Sequence, residues 1–356
     1  MNPLRWSGFS LACAWALASP VAAANFSSGS QLAAKFGVHE ITLAGDGRVA
    51  NPFDTLATVT FVPPSGAAGA KVVHAFYEGD DTWRARVYVS EPGRWTWSSR
   101  SAGDRGLDGK SGAFTAGDSK LRGRLLLHPL NPHHWVTESG QWFLNLNDTA
   151  YFLLCPHSAF GQPVPEEDVK DYVRDAVARG ITSLRSFTLV GPGGHMEDGP
   201  AFARRWRDSV FDDDAMTRLR LPHFQVADER LRWLLNEHPD LYMQFILFPR
   251  GSRWSKDDQM WRAFSPEQKE RVMRTMIARY AAYPQLFWLV TNDAHYGPDF
   301  PNNNAFAREV GEYFLRHDPW RHPMAAGHAR RVPYYFGAEA WSTYLHLEEN
   351  FDTGAV

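Results

Sequence analysis

Asn292 and Asp293 follow directly on the apolar run Phe287-Trp288-Leu289-Val290, so an amide and a carboxyl stand where a buried strand emerges from a core. A carboxyl in that position, with Tyr296 and other aromatics close by in the chain, loses solvation and its pKa rises. That suits a general acid protonating a leaving sugar oxygen, while Asn292 can hydrogen-bond a sugar hydroxyl. The competing reading of Asp293 is a loop cap, where Asp is common. Hydrolysis of a glycosidic bond by two carboxylates needs a second Asp or Glu roughly 5 to 10 Å away. Asp148, Glu339 and Glu348 are the carboxylates near other strand ends. Asp148 reads as a binder of a sugar hydroxyl, and Glu339 precedes a strand and belongs to the opposite rim. Glu348 stays a candidate.

Other polar residues recur at equivalent places. Asn147-Asp148, Arg185, Arg250, His328, and His346 with Glu348 each follow an apolar segment. In β/α-barrels chemistry collects where strands end, because the loops there form one mouth. Asp293 is therefore the catalytic candidate, with Asp148, Arg185, Asn292, Tyr296, His328, Glu348 and Trp206 as substrate-binding candidates. Trp206 belongs to a long loop that continues through Phe211-Asp212-Asp213-Asp214 and could wall a cleft. His133-His134 reads as a solvated turn. His157, His195, His295 and His328 show no metal-binding spacing, so no metal is expected, and nothing calls for a cofactor. Gly191-Pro192-Gly193-Gly194 lacks the Lys of a P-loop, and no G-x-S-x-G turn supports an esterase.

These residues need elements to position them. Residues from about 36 to 116 read as strands throughout, with alternation over Val38 to Leu43, Ala57 to Val62 and Trp83 to Val89: Trp83, Ala85, Val87 and Val89 share one strand face, and Arg84, Arg86 and Tyr88 the other. Turn signals at Gly45-Asp46-Gly47, Pro63-Pro64, Gly79-Asp80-Asp81 and Glu91-Pro92-Gly93 separate short strands, as in an immunoglobulin-like sandwich. Trp95 and Trp97 share a strand face, either as core or as a sugar platform. From Trp142 apolar strands alternate with amphipathic helices. Strands are expected over Phe143 to Asn147, Ile181 to Leu189, Leu241 to Phe248, Gln285 to Asn292, Pro323 to His328 and Trp341 to Leu347. Helices are expected over Glu166 to Arg179, near Val226 to Glu237, from the capping box Ser265-Pro266-Glu267-Gln268 to before Pro284, and over Asn303 to His317. The pattern implies a parallel sheet, and with no G-x-G-x-x-G turn a dinucleotide fold is disfavoured.

The expected class is multidomain: residues 1–24 an export signal, 25–120 an all-β immunoglobulin-like sandwich, 121–356 an incomplete (β/α)8 TIM-type barrel. Six strands do not close eight, so a chain cut short by two βα units is expected, with an open, aggregation-prone edge. Arg5, the apolar stretch Gly8 to Ala18 and Ala22-Ala23-Ala24 read as a signal peptide cleaved after Ala24, giving a periplasmic or secreted protein. Ser10 stands where a lipoprotein would want a large aliphatic ahead of Cys13. Cleavage leaves Cys155 alone, so no internal disulfide forms. A net charge of -3 without a basic stripe excludes nucleic acid as the expected partner, and no apolar run spans a membrane. The 14 Trp among 14% aromatics suit stacking on sugar faces, and equally a large core. Oligomeric state is not legible.

The chain also resembles a bacterial architecture in which an immunoglobulin-like DUF5060 domain precedes a DUF4038, apiosidase-like barrel. The first resemblance rests on His74-Ala75-Phe76-Tyr77-Glu78-Gly79, Thr82-Trp83-Arg84-Ala85-Arg86 and Glu91-Pro92-Gly93-Arg94-Trp95-Thr96-Trp97. The second rests on His128-Pro129 with Asn131-Pro132, Phe143 to Ala150, Phe224 to Leu231 with Asp228-Glu229-Arg230, and Trp288 to Asp293. The resemblance implies a glycoside hydrolase acting on plant or microbial polysaccharide through two carboxylates. Asp293 would hold the acid/base position, and the nucleophile Glu would lie further along the barrel than Val356. The other class to weigh is a non-catalytic, exported glycan-binding protein.

Overall fold

The computed structural model describes residues 24–29, 31–158, 161–189, 210–248, 261–262, 264–292, 294–329 and 334–348. The export-signal reading therefore lies outside the described residues.

The N-terminal part is made of two sheets that share a core. Its strands are β1 (Phe26–Ser28), β2 (Leu32–Ala34), β3 (Val38–Ala44), β4 (Ala57–Val62), β5 (Lys71–His74), β6 (Phe76–Gly79), β7 (Thr82–Tyr88), β8 (Gly93–Ser101) and β9 (Ser111–Gly117). One sheet runs β1-β3-β7-β6 and the other β2-β9-β8-β4-β5. The alternation seen in sequence sets the packing: Ile41, Leu43, Trp83, Ala85 and Val87 are buried in one cluster with Val59, Phe61, Trp95 and Phe114 of the facing sheet. His39 stacks on Phe114 between the sheets, ring centroids 3.8 Å apart. Trp95 is core, and Trp97 lies half-buried over Gly112, where an added Cβ would meet its ring at 2.7 Å.

A small antiparallel sheet follows, β10 (Leu125–His128), β11 (Asn131–Thr137) and β12 (Trp142–Phe143). His133 and His134 are exposed as expected but belong to strand β11, not to a turn; the turn at Leu130 precedes them.

The parallel sheet has the order β13-β14-β15-β16-β17, from β13 (Asn147–Thr149), β14 (Ser183–Phe187), β15 (Tyr242–Phe248), β16 (Leu286–Thr291) and β17 (Met324–Ala325). Helices α1 (Glu166–Ala178), α2 (Leu221–Glu237), α3 (Pro266–Tyr280) and α4 (Pro301–His317) alternate with its strands. Helix α2 begins five residues before the expected Val226, because Pro222 in its first turn is tolerated where no N–H is needed. The capping box at Ser265 and Gln268 is formed. One sheet face (Leu184, Met243, Phe245, Leu286, Trp288, Val290) joins the helices' apolar stripes in one core. The opposite face carries two smaller clusters, Phe187, Ile246, Leu289 and Ala325 with Cys155, and Tyr242 and Phe287 with Leu125 and Phe143.

The sixth strand is a correction. Within Trp341 to Leu347 only Leu347 enters a ladder, as part of β19 (Leu347–Glu348), parallel to β18 (His328–Ala329). The intervening side chains serve as plugs instead. Trp341 packs on Gly311 of α4, and Tyr344 stands edge-on to Phe287 and Trp135 on the sheet's inner face. The fifth expected strand is likewise split into β17 and β18.

Candidate active site at the ends of the parallel strands

Strand β16 is apolar until Thr291, and its continuation into Asn292 is buried. The next chain is held very close. Gly327 N–H donates to the Thr291 carbonyl (3.1 Å), and Ala294 N–H to the Gly327 carbonyl (3.0 Å). A Cβ on Gly327 would come within 2.1 Å of the Thr291 oxygen, so only glycine permits this approach. The approach delivers His328, buried, to a bridge with Ala294. Its ring lies 5.5 Å from Tyr296 and 6.0 Å from Tyr334. Tyr296 is buried, shares a hydrogen bond with the Thr291 hydroxyl and packs against Phe336 at 4.8 Å. Asn292, Tyr296 and His328 are thus brought together at one strand end. Asp293, the catalytic candidate between Asn292 and Ala294, lies outside the described residues, as do Trp206, Arg250 and His195.

Deeper on the inner face, Arg185 of β14 stands opposite Gln244 of β15. Arg185 Nη1 is 2.9 Å from His346 Nε2, and the Gln244 amide lies 3.2 Å from His346 Nδ1 and 3.0 Å from the Tyr344 hydroxyl. Tyr344 donates to the Trp288 carbonyl at 2.8 Å. Burial, reinforced by the Arg185 charge, lowers the His346 pKa to about 3, so this imidazole is neutral and can accept from the guanidinium. Burial raises the Tyr344 hydroxyl well above the usual tyrosine range. Sequence reading named Arg185 and His346 but missed Gln244 and Tyr344. Gln244 was visible as the lone polar residue within Tyr242–Phe248.

The other candidates stand apart. Asp148 is exposed on β13 at the sheet edge, accepting from the Tyr172 hydroxyl at 2.7 Å. Glu339 binds Arg308 at 2.8 Å. The backbone of Glu348 pairs with Ala329. His223, at the start of α2, contacts the Thr188 carbonyl after β14, and burial lowers its pKa to about 4. Among the described residues no group of three His, Cys, Asp or Glu could hold a metal ion. A cavity of about 570 Å³ lies at the other end of the sheet, between Trp135, Phe143, Asn145, Thr343 and Tyr344. It borders the strand starts, since Phe143 contacts Tyr242 and Trp135 contacts Phe287.

The fold is glycoside hydrolase-like. A candidate glycoside hydrolase of Bacteroides vulgatus superposes with a TM-score of 0.69 at 19% identity, over 90% of this chain and 60% of its own. The chain thus spans about three fifths of that protein's length. A family 5 glycoside hydrolase of the same species gives a TM-score of 0.43 at 13% identity, over 62% of this chain and 43% of its own, too distant to carry an argument. No curated protein matches. Residues 33–102 match a family described as a domain of unknown function, DUF5060, so that domain is present here.

Proposed function

We propose that this chain is a carbohydrate-active protein of the glycoside-hydrolase type, its N-terminal sheets an immunoglobulin-like sandwich at 25–120 and residues 121–356 a (β/α)8-type, apiosidase-like (DUF4038) barrel. The observation that carries the reading is the convergence of buried polar Asn292, Tyr296 and His328 on one strand end, in a fold superposing on a candidate glycoside hydrolase. In such barrels the mouth at strand ends is where chemistry is done. Asp293 would protonate the leaving oxygen of a plant or microbial polysaccharide, and Asn292 would hold a sugar hydroxyl. The export signal would take the protein to the periplasm or outside the cell.

The test is release of reducing sugar from a panel of plant and bacterial polysaccharides by the chain and by Asp293→Asn. Loss of about 10²- to 10⁴-fold in rate, with unchanged thermal stability, is expected for removal of a general acid. Full activity in the variant would sink the assignment. A second reading, a non-catalytic glycan-binding protein, is favoured by the engagement of Asp148 with Tyr172 and of Glu339 with Arg308. It predicts binding to the same polysaccharides with no release of reducing ends.

A further inference from the structure

The DUF5060 match contains a cluster of charge that hydrolysis does not use. On β3 and β7 the residues that face away from the sandwich core are Glu40, Arg84 and Arg86, and that second face is covered by α2 and α3. Arg86, fully buried, holds Glu40 through Nε (2.8 Å) and Asp228 of α2 through Nη1 (2.5 Å). The same Nη1 donates to the carbonyl of Arg279, on α3, at 2.5 Å. Arg279, also fully buried, grips the other oxygen of Asp228, then Glu78 of β6 (2.7 Å) and the Tyr77 carbonyl (3.0 Å). Phe76 lies under both guanidinium groups, at 4.8 and 4.4 Å. Arg84 completes the set at 2.9 Å from Glu40, so three carboxylates meet three guanidiniums. Around them, Asn25 donates to the Leu235 carbonyl, Gln225 to the Glu78 carbonyl and Arg274 to the Phe53 carbonyl.

We propose that the outer face of the β1-β3-β7-β6 sheet is a helix-docking surface, and that clamping α2 and α3 is the function of this domain of unknown function in the chain. Its partner is a helix pair presenting one carboxylate and one guanidinium, here Asp228 and Arg279. A glycan-binding appendage on a linker would join through a small, wet, polar interface that can slide. Here any sliding would leave buried charges unpaired, which is strongly unfavourable. The clamp reaches further, because Tyr280 at the end of α3 packs on Phe245 of β15 and donates to the Phe224 carbonyl of α2. The helices that the sandwich holds are therefore those that back the central strands. This inference is independent of whether the chain hydrolyses glycans.

Hydrogen exchange on the full-length chain tests it. Arg86→Met leaves Glu40 with Arg84 and Asp228 with Arg279 but removes the guanidinium that joins the two pairs, and exchange in α2 and α3 should rise together with β3 and β7, on the order of a hundredfold or more. Should that variant fail to fold, Glu78→Gln removes only the outer partner of Arg279, and a smaller rise should appear in α3 as well as β6. The wild type should unfold in urea in a single transition by probes in both parts. Exchange changes confined to the sandwich strands, or two separate wild-type transitions, would overturn the clamp.

Discussion

His346 sits where three elements meet, between the guanidinium of Arg185 and the amide of Gln244. An ordinary histidine beside an arginine would be held neutral weakly; here burial comes first and the arginine second, and the pKa falls to about 3. Arg185 has donors only, so a neutral imidazole is the partner that satisfies it without a second charge. Replacing His346 by Ala should remove a hydrogen bond to a charged group and leave a void, destabilising the chain by about 2–4 kcal/mol. His346→Gln keeps an acceptor near the same place and should recover at least half of that loss. Urea denaturation at pH 7.5 decides it, and equal stability of the Ala and Gln variants would remove the hydrogen-bonding account. Under the proposed function, Asn292→Ala should raise KM more than it lowers kcat, because an amide holding a hydroxyl contributes mainly to binding. Steady-state kinetics on whichever polysaccharide is cleaved would show the reverse split if Asn292 acted on the reacting atoms.

At the scale of the elements, the candidate site depends on two glycines. Gly327 lets the segment after β17 lie on the end of β16, and Gly311 lets Trp341 lie flat on α4, where an added Cβ would meet the ring at 2.3 Å. At Gly327 the obstructing atoms belong to backbone, which cannot swing away. Gly327→Ala should therefore destabilise by about 2–4 kcal/mol and shift His328 from its bridge with Ala294, read as a fall in melting temperature. An unchanged melting temperature would mean that the strand end yields more easily than its hydrogen bonds suggest. Neither close approach was legible in the sequence, since a glycine's neighbour in space leaves no local pattern. What could be read was whatever burial writes into periodicity. Tyr242–Phe248 and Leu286–Thr291 are covered on both faces and appear as near-continuous apolar runs, so their limits were found to within a residue. Trp341 to Leu347 is also rich in aromatic and apolar residues, yet its side chains plug a helix groove and a sheet face, and composition does not distinguish a plug from a strand. Arg84 and Arg86 alternated correctly onto one face of β7, but alternation does not say whether water or a helix covers that face.

Over the whole molecule, burial of neutral histidines sets the response to acid. His39 lies between the two N-terminal sheets, His223 under β14 and His346 inside the parallel sheet, so the three report on separate parts of the fold. Burial is the leading cause in each case, and the pKa values fall to about 4, about 4 and about 3. Unfolded, each would titrate near 6.5. Between those limits the unfolded chain binds protons that the folded chain refuses, so stability increases with pH there. The contribution is fully present above pH 6.5 and is lost progressively as the pH falls towards 4. Each site weakens the fold by on the order of 1 kcal/mol per pH unit in that window, and His74, which burial also lowers to about 4, acts in the same direction as these three. Glu40 and Asp318 extend the trend to lower pH. Burial would raise each carboxyl, but Arg86 and Arg84 around Glu40, and His322, Trp288 and the Trp320 N–H around Asp318, hold both below the usual range. Urea midpoints should therefore be nearly level from pH 7 to 8.5 and fall by an amount equivalent to several kcal/mol between pH 6.5 and 4.5. His223→Gln should flatten that fall by about a quarter, because it removes one of four such protonations, His74 being the fourth. A midpoint that stays level down to pH 4.5 would show that the imidazoles gain solvent or partners in the folded state, contrary to the buried positions that they occupy here.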